Sequence, residues 1–392
     1  MTAPLETLLI RRIAQAGPVG IAAFMAEALG HPRHGYYITR DPLGVEGDFT
    51  TAPEISQMFG EMLGVWLADA WICQGRPNPV HLVEPGPGRG TLMADALRAT
   101  ARVPGFHTAI RLHLVETSPV LRRRQAAALP AFAPQWHDNL ADVPEGPLLL
   151  VANEFFDALP IRQFIRTPAG WAERKVGLDA AGRLAFTVDP GPGGALLTPL
   201  HQIPGIPPGA IAETCPAGMA LTAEIGRRLA THGGAALIID YGYDGPAIGD
   251  TLQAVRAHRP VPVLDAPGTA DLTAHVDFTA LARAAADAGA TCHPGIGRSV
   301  GQGALLRALG IEARAATLAA RVTPAQQDAI GAALDRLTGP DAMGRLFRAI
   351  ALTGPGAPVP AGFAPEPETA SEPEPKPDPG PGPEPRTQGA SS

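Results

Sequence analysis

His81-Leu82-Val83-Glu84-Pro85-Gly86-Pro87-Gly88-Arg89-Gly90 runs from an apolar strand into a turn with glycine at every second position. Glycine at 86, 88 and 90 lets the backbone turn tightly and approach a ligand with no Cβ in the way. A helix starting near Thr91 would then aim its free N–H groups at that ligand. Three nucleotide patterns compete for this segment. A Walker loop needs lysine before Ser or Thr, and the only lysines are Lys175 and Lys376. A dinucleotide fingerprint needs glycine at the sixth position, where Thr91 stands. What remains is G-x-G-x-G with Glu84 at the strand end, a variant suited to an adenosyl amino acid, which carries no pyrophosphate.

A second acid supports that reading. Leu112-His113-Leu114-Val115-Glu116 reads as the next strand, and a carboxylate at its end can accept both ribose hydroxyls. The structural alternative is a helix start, because Ser118-Pro119 is a good Ncap–N1 pair. Caps seldom explain an acid at two successive strand ends, so a ligand accounts for the pair better.

Further out, apolar runs alternate with helical stretches, the pattern of an α/β parallel sheet covered by helices. Strands are expected at Val80 to Glu84, Leu112 to Glu116, Phe132 to Trp136, Leu148 to Ala152, Ala235 to Tyr241 and Leu346 to Leu352. Helices are expected at Thr91 to Arg102, Pro119 to Leu129 and Phe278 to Ala288, the last closed by Gly289. The chain divides into a helical block with a lid loop (1–78), a core (79–160 and 232–354), an insertion (161–231) and a tail (355–392). Within the insertion, Trp171 to Val176 and Arg183 to Val188 flank a turn and read as a hairpin. A helix near Met219 to Thr231 and more helices within 301–338 complete the plan.

Composition narrows the function. Hydrophobic residues make up 45% of 392 positions, enough for a substantial core. The tail holds 12 prolines, six acids and two bases, so it carries −4 of the net −7 and cannot bury enough apolar surface to fold. A mildly acidic body argues against nucleic acid as a partner. Cys73, Cys215 and Cys292 form neither a zinc spacing nor a disulfide framework. No run approaches the ~18 apolar residues of a membrane span. With no presequence or signal peptide evident, a cytoplasmic protein is expected.

Gly297-Arg298-Ser299-Val300-Gly301 matches a nucleophile elbow, but no histidine follows His293, so a hydrolase fails. His31-Pro32-Arg33-His34 lacks metal-ligand spacing, and no metal is expected. Arg122-Arg123-Arg124 reads as a solvated helix face. Thr51-Ala52-Pro53-Glu54 has a capping-box pattern that would explain Glu54 structurally. Asn153-Glu154-Phe155-Phe156-Asp157 lies at the carboxyl edge of the sheet, where ligands collect. Helix capping by Asn153 is its structural alternative.

On these residues the chain resembles the MidA family of S-adenosylmethionine-dependent methyltransferases, which includes a mitochondrial complex I assembly factor. The segments that match are Gly35-Tyr36-Tyr37, Gly47 to Glu61, the Glu84-to-Gly90 turn, Ala152 to Pro160, Asp240-Tyr241-Gly242 and Ala266 to Thr273. They run in order through about residues 5 to 353 and leave out the tail. The resemblance implies a seven-stranded Rossmann-like class I methyltransferase sheet with a helical N-terminal block and an inserted subdomain. It implies S-adenosyl-L-methionine at Glu84, Gly86, Gly88, Gly90 and Glu116, under a lid that includes Tyr37, Asp48 and Thr51. It further implies symmetric dimethylation of an arginine on a protein substrate, the 49-kDa-type subunit of respiratory complex I, in a bacterial cytoplasm.

An arginine enzyme needs carboxylates that grip the guanidinium and turn one nitrogen towards the methyl group. Glu154 is the leading candidate, with Glu54 or Asp157 as the second and Asn153 as a polar guide. Tyr37 and Phe49 would wall the site from water. Two rivals stand beside this reading: a methyltransferase for another protein or a small molecule, and an assembly chaperone that binds cofactor without essential catalysis. The N-terminal helices could cover the cofactor or form a homodimer surface, and pattern does not separate the two.

Overall fold

The computed structural model describes residues 4–39, 51–189 and 205–364. The first block is helical: α1 (Pro4–Ala16), α2 (Ile21–Gly30), α3 (Tyr36–Thr39), α4 (Ala52–Ile55) and α5 (Gln57–Cys73), with a short β1 (Val19–Gly20) after α1. α1 buries Leu5, Leu9 and Ile13, one face at helical spacing. α5 is apolar nearly all round and is buried accordingly.

The core then alternates β2 (Val80–Pro85), α6 (Thr91–Thr100), α7 (Phe106–Ala109), β3 (Ile110–Val115), α8 (Pro119–Ala128), β4 (Gln135–His137) and β5 (Leu148–Asn153). β4 falls a little later than the Phe132-to-Trp136 expectation. The hairpin is present as β7 (Gly170–Leu178) and β8 (Leu184–Asp189), flanked by β6 (Arg162–Thr167) and β9 (Ile211–Thr214). These four and β1 make one sheet, in which Val19 pairs with Val176. The insertion and the N-terminal block therefore share a sheet, a pairing across distant segments that no local pattern displays.

The chain returns through α9 (Pro216–His232) and β10 (Gly234–Tyr243), then a small sheet of β11 (Gln253–Arg256), β12 (Arg259–Val261) and β13 (Asp271–Thr273). After β14 (Val276–Asp277) come α10 (Phe278–Asp287), β15 (Thr291–His293), β16 (Val300–Gly301), α11 (Gln302–Ala308), α12 (Ile311–Ala319), α13 (Pro324–Thr338), α14 (Met343–Leu346) and β17 (Phe347–Thr353). Leu346 is not in the closing strand; it ends α14 and is exposed.

The main sheet runs β15-β17-β10-β5-β2-β3-β4, with β14 beside β10 and β16 beside β17. Among the described residues it has nine strands rather than the seven expected, because two two-residue strands lie beside a path of seven. β4, β3, β2, β5 and β10 are mutually parallel, and β17 is antiparallel. β2 and β5 are buried along their whole length, as strands covered on both faces must be. α5 and α6 pack against one face and α9 and α10 against the other. Among the described residues no helix is long and apolar enough to cross a membrane.

Residues 355–364 were assigned to the tail, yet Phe363 is buried in the main core. Its single large apolar side chain outweighs the proline-rich setting around it. Residues 365–392 lie outside the described residues.

Candidate cofactor and acceptor site

The carboxyl ends of β2, β3, β4 and β5 surround a cavity of about 480 Å³. Its floor is the glycine turn. Gly86, Gly88 and Gly90 have φ of 61°, 53° and 84°, a left-handed conformation that other residues adopt only with strain. A Cβ on Gly86 would also stand 2.6 Å from Phe155 Cδ2. Gly86 and Gly88 line the cavity, whereas Gly90 does not; it is the Ncap residue of α6, backed by Gln125.

Gln125 ties the rim together. Its Nε2 donates to Gly88 O at 2.7 Å and to Glu116 Oε2 at 3.2 Å, and its Oε1 accepts from Trp136 Nε1 at 2.8 Å. Glu116 Oε1 accepts from Ser118 N at 2.7 Å, while Ser118 Oγ caps α8 at Leu121 N. The cap and the strand-end acid thus coexist. Burial raises the Glu116 carboxyl, against the hydrogen bonds from Ser118 and Gln125 that lower it.

Glu84 lines the same cavity, and its buried Oε2 has no hydrogen-bond partner among the described residues. With no compensating donor, desolvation pushes this carboxyl up to about 8. An orphaned acceptor beside a glycine cradle fits an adenosyl amino acid, whose ammonium and hydroxyl groups are donors.

Two lining residues, Asp138 and Asn139, escaped the sequence reading. They follow β4 as Glu84 ends β2, but the strand was placed to finish at Trp136, which hid the position. Arg122, read as solvated, instead joins these loops. Its Nε donates to Glu116 O at 2.7 Å, its Nη2 donates to that oxygen too, and Nη2 reaches Asp138 Oδ1 at 2.6 Å.

The fourth side belongs to β5 and the turn after it. Asn153, Glu154 and Phe155 line the cavity, as do Tyr37, Thr51 and Glu54. Glu154 has φ 51°, a strained value for a residue with a side chain. Its Oε1 accepts from Ala52 N at 2.9 Å and Asn153 Nδ2 at 3.0 Å. Burial lifts its carboxyl to about 7, opposed by those two bonds. Asn153 Oδ1 is buried and has no partner among the described residues.

The capping box at 51–54 does not form. Thr51 makes no side-chain cap bond. Glu54 turns instead to the start of α6, where its Oε1 accepts from Thr91 Oγ1 at 2.7 Å and its Oε2 lies 3.8 Å from Arg89. The N–H of Ala52, the first residue of α4, goes to Glu154.

Asp157 is not part of the cavity lining. It sits behind Asp240, whose Oδ2 accepts from the backbone N–H of Phe155, Phe156 and Asp157 at 3.1, 2.8 and 3.3 Å. Burial, then the charges of Asp240, Asp271 and Glu154, raise Asp157 well above the usual carboxylate range. Tyr37 donates its hydroxyl to Asp271 Oδ1 at 2.8 Å. Asp48 and Phe49 lie outside the described residues.

The remaining motifs resolve as structure. Ser299 Oγ contacts Asp244 Oδ1 at 2.6 Å and accepts from Arg348 Nε at 2.8 Å, so the elbow-like serine is a clasp between loops. His31 Nδ1 accepts from the N–H groups of Arg33 and His34 in a tight turn. Among the described residues no cluster of His, Cys, Asp and Glu could hold a metal ion.

Comparison with known proteins identifies the family. Residues 62–295 match the model of a family described as S-adenosyl-L-methionine-dependent methyltransferases. The mitochondrial protein arginine methyltransferase NDUFAF7 of Danio rerio is 38% identical over 365 residues, 87% of this chain and 84% of its own. The Homo sapiens protein of the same name is 36% identical over 378 residues, 89% and 83% of the two chains. A crystal structure from Burkholderia thailandensis with S-adenosyl-homocysteine bound superposes with a TM-score of 0.78 at 28% identity, over 92% of this chain and 94% of that one. These findings correct the expected bacterial cytoplasm, because the curated relatives, from vertebrates to Drosophila melanogaster, are named as mitochondrial. That expectation rested on the lack of a presequence, and where a chain begins carries no information about its compartment.

Proposed function

Because the chain belongs to the family of S-adenosyl-L-methionine-dependent methyltransferases, with protein arginine methyltransferases among its relatives, we propose that its acceptor is an arginine side chain of a protein. The observation that carries this reading is a pair of acceptors at the end of β5. Among the described residues Asn153 Oδ1 is buried without a donor and Glu154 Oε2 receives no hydrogen bond. A guanidinium is donor-only and cannot be deprotonated beforehand at neutral pH, so it suits a site built of free acceptors.

S-adenosyl-L-methionine, when bound, supplies an electrophilic methyl group on sulfur. The protein's part is to align the nucleophile and stabilise charge. Glu154 Oε1 is already committed to Ala52 and Asn153, so only Oε2 is free for the guanidinium. A bidentate grip by Glu154 alone is therefore closed, and Asn153 Oδ1 supplies the second contact. Transfer forms an N–CH3 bond, breaks the S–CH3 bond and releases one proton from the substituted nitrogen. Glu154, with its carboxyl near 7, is suited to receive that proton and pass it to solvent. Glu54, engaged with Thr91 and Arg89, fastens the lid side of the site to α6. Tyr37, held by Asp271, walls it.

The finer reading is symmetric dimethylation of an arginine on a respiratory complex I subunit during assembly, supported by the resemblance to the mitochondrial assembly factor. To test it, wild type and Gly88→Val are incubated with labelled S-adenosylmethionine and lysate from a strain lacking the gene, and labelled bands are hydrolysed. The expected result is one protein releasing dimethylarginine with wild type and none with the variant, whose branched side chain cannot adopt φ 53° without strain. Cofactor binding with label only in a metabolite or another amino acid would overturn the arginine reading.

A further inference from the structure

Asp240 lies in β10, fully buried and outside the lining of the cofactor cavity. Its Oδ2 accepts from the backbone N–H groups of Phe155, Phe156 and Asp157 at 3.1, 2.8 and 3.3 Å, and its Oδ1 from Tyr241 N at 2.8 Å. The residue before it, Ile239, accepts from Glu154 N at 3.0 Å through its carbonyl oxygen. Four successive N–H groups, 154 to 157, are thus gathered by two adjacent residues of one strand. Two carboxylate oxygens facing four donors suit an acid. An amide in the same place would offer one acceptor and set an N–H group against another donor.

That grip bears on Glu154. With φ at 51°, its backbone is in a conformation that persists only where the surroundings over-determine it. β5 has ended at Asn153 and no helix follows in the turn, so the fixing contacts come from β10. Charge reaches the Glu154 carboxyl from Asp240 on β10, Arg336 on α13 and Asp157 on its own turn. Burial raises both aspartates, but the backbone N–H bonds to Asp240 oppose it, and Asp157 stands well above the usual carboxylate range. Of the two, Asp240 is the one that keeps its negative charge.

We propose that Asp240 is a positioning residue for methyl transfer, acting through Glu154. From behind the cavity it pins the turn that carries Glu154 and sets a negative charge against it, so that Oε1 meets Ala52 and Asn153 and Oε2 is left for the guanidinium. The inference rests on the arginine reading and adds what holds the catalytic carboxylate in place.

The test compares wild type, Asp240→Asn, Glu154→Gln, their double variant and Asp240→Ala. Label transfer from S-adenosylmethionine to protein arginine is followed against pH at low lysate concentration, beside S-adenosylhomocysteine affinity and Tm. In protein with 13C-labelled glutamate carboxyls, the Glu154 resonance is identified by its loss in Glu154→Gln. Asp240→Asn keeps one acceptor for the turn and removes the charge. The rise in its rate with pH and the titration of its Glu154 resonance are expected to move together to lower pH, with S-adenosylhomocysteine affinity unchanged. Asp240→Ala releases the turn and is expected to lose about a hundredfold in rate, the scale of a misplaced reacting group. Because Asp240 acts through Glu154, the double variant should be no slower than Glu154→Gln alone. Losses that multiply in the double variant, or a wild-type rate and titration in Asp240→Asn, overturn the role and leave the arginine reading intact. If wild type binds S-adenosylhomocysteine but labels no arginine, the arginine reading falls. A Glu154 resonance that still shifts in Asp240→Asn then upholds the grip on this carboxyl, and one that stays in place removes it.

Discussion

At the scale of single residues, position more than identity sets the chemistry. Two glutamates at strand ends, Glu84 and Glu116, share a cavity, yet Glu116 receives hydrogen bonds from Ser118 and Gln125 while one oxygen of Glu84 has none. Glu154 differs again, with one oxygen spent on the protein and the other receiving no hydrogen bond among the described residues. Its carboxyl, lifted to about 7, must be ionised to hold a guanidinium. The rate at low acceptor concentration should therefore rise with pH through about 7 in wild type. Glu154→Gln should lose most of the transfer, keep S-adenosylhomocysteine affinity and show a flat residual pH profile. A residual rate in the variant that still climbs through that pH would assign the titration to another group.

At the scale of elements, the cavity exists because helices and strands approach closely at chosen points. On α5, Gly64 lies against α6 so tightly that a Cβ would sit 2.6 Å from both the Cα and the carbonyl oxygen of Ala96. One turn away, Glu61, only 3% exposed, accepts from Arg314 on α12 at 2.6 and 2.9 Å and from Arg98 on α6 at 2.8 Å. Burial alone would raise the Glu61 carboxyl, but the two arginines outweigh it and hold it low. Gly64→Val must push α6 away from α5 and is expected to cost about 2 kcal/mol or more, lowering Tm in a thermal melt. The exposed neighbour Val65→Ala should fall within about 0.5 kcal/mol of wild type. Equal melting of the two variants would mean that the α5–α6 contact tolerates expansion.

For the molecule as a whole, burying carboxylates at the cofactor cavity makes folding proton-linked. Glu84 moves from an ordinary carboxyl value to about 8 on folding, so the folded protein binds a proton that the unfolded chain releases. Its contribution is full below the ordinary carboxyl value and is lost as pH rises through about 8. Urea denaturation of cofactor-free protein should accordingly show lower stability at pH 8.5 than at 6.5, by up to about 1.4 kcal/mol per pH unit from this group. Glu84→Gln should flatten that slope. Parallel curves for the two proteins would place the proton elsewhere.

How far the sequence could be read follows the range of the interactions involved. The glycine turn, the apolar strands and the acids at 84 and 116 were legible because strand, turn and helix start are decided by neighbours in the chain. The Ser118 cap and the 170–189 hairpin were legible for the same reason. Asp138 and Asn139 were lost to a boundary error of one residue at a short strand. Other features could not be seen at all. Thr51 and Glu54 have the spacing of a local box, but Glu54 turns to Thr91, 37 residues away, and the N–H of Ala52 between them goes to Glu154, 102 residues away. Asp157 has helical spacing from Glu154, yet Asp240 gathers the N–H groups of this turn and Asp157 does not line the cavity. The family and the glycine turn were written in local order. Which carboxylate keeps an oxygen towards the cavity was decided by tertiary structure, because a buried acceptor takes whatever donor the packed chain brings within hydrogen-bond distance, however distant in sequence.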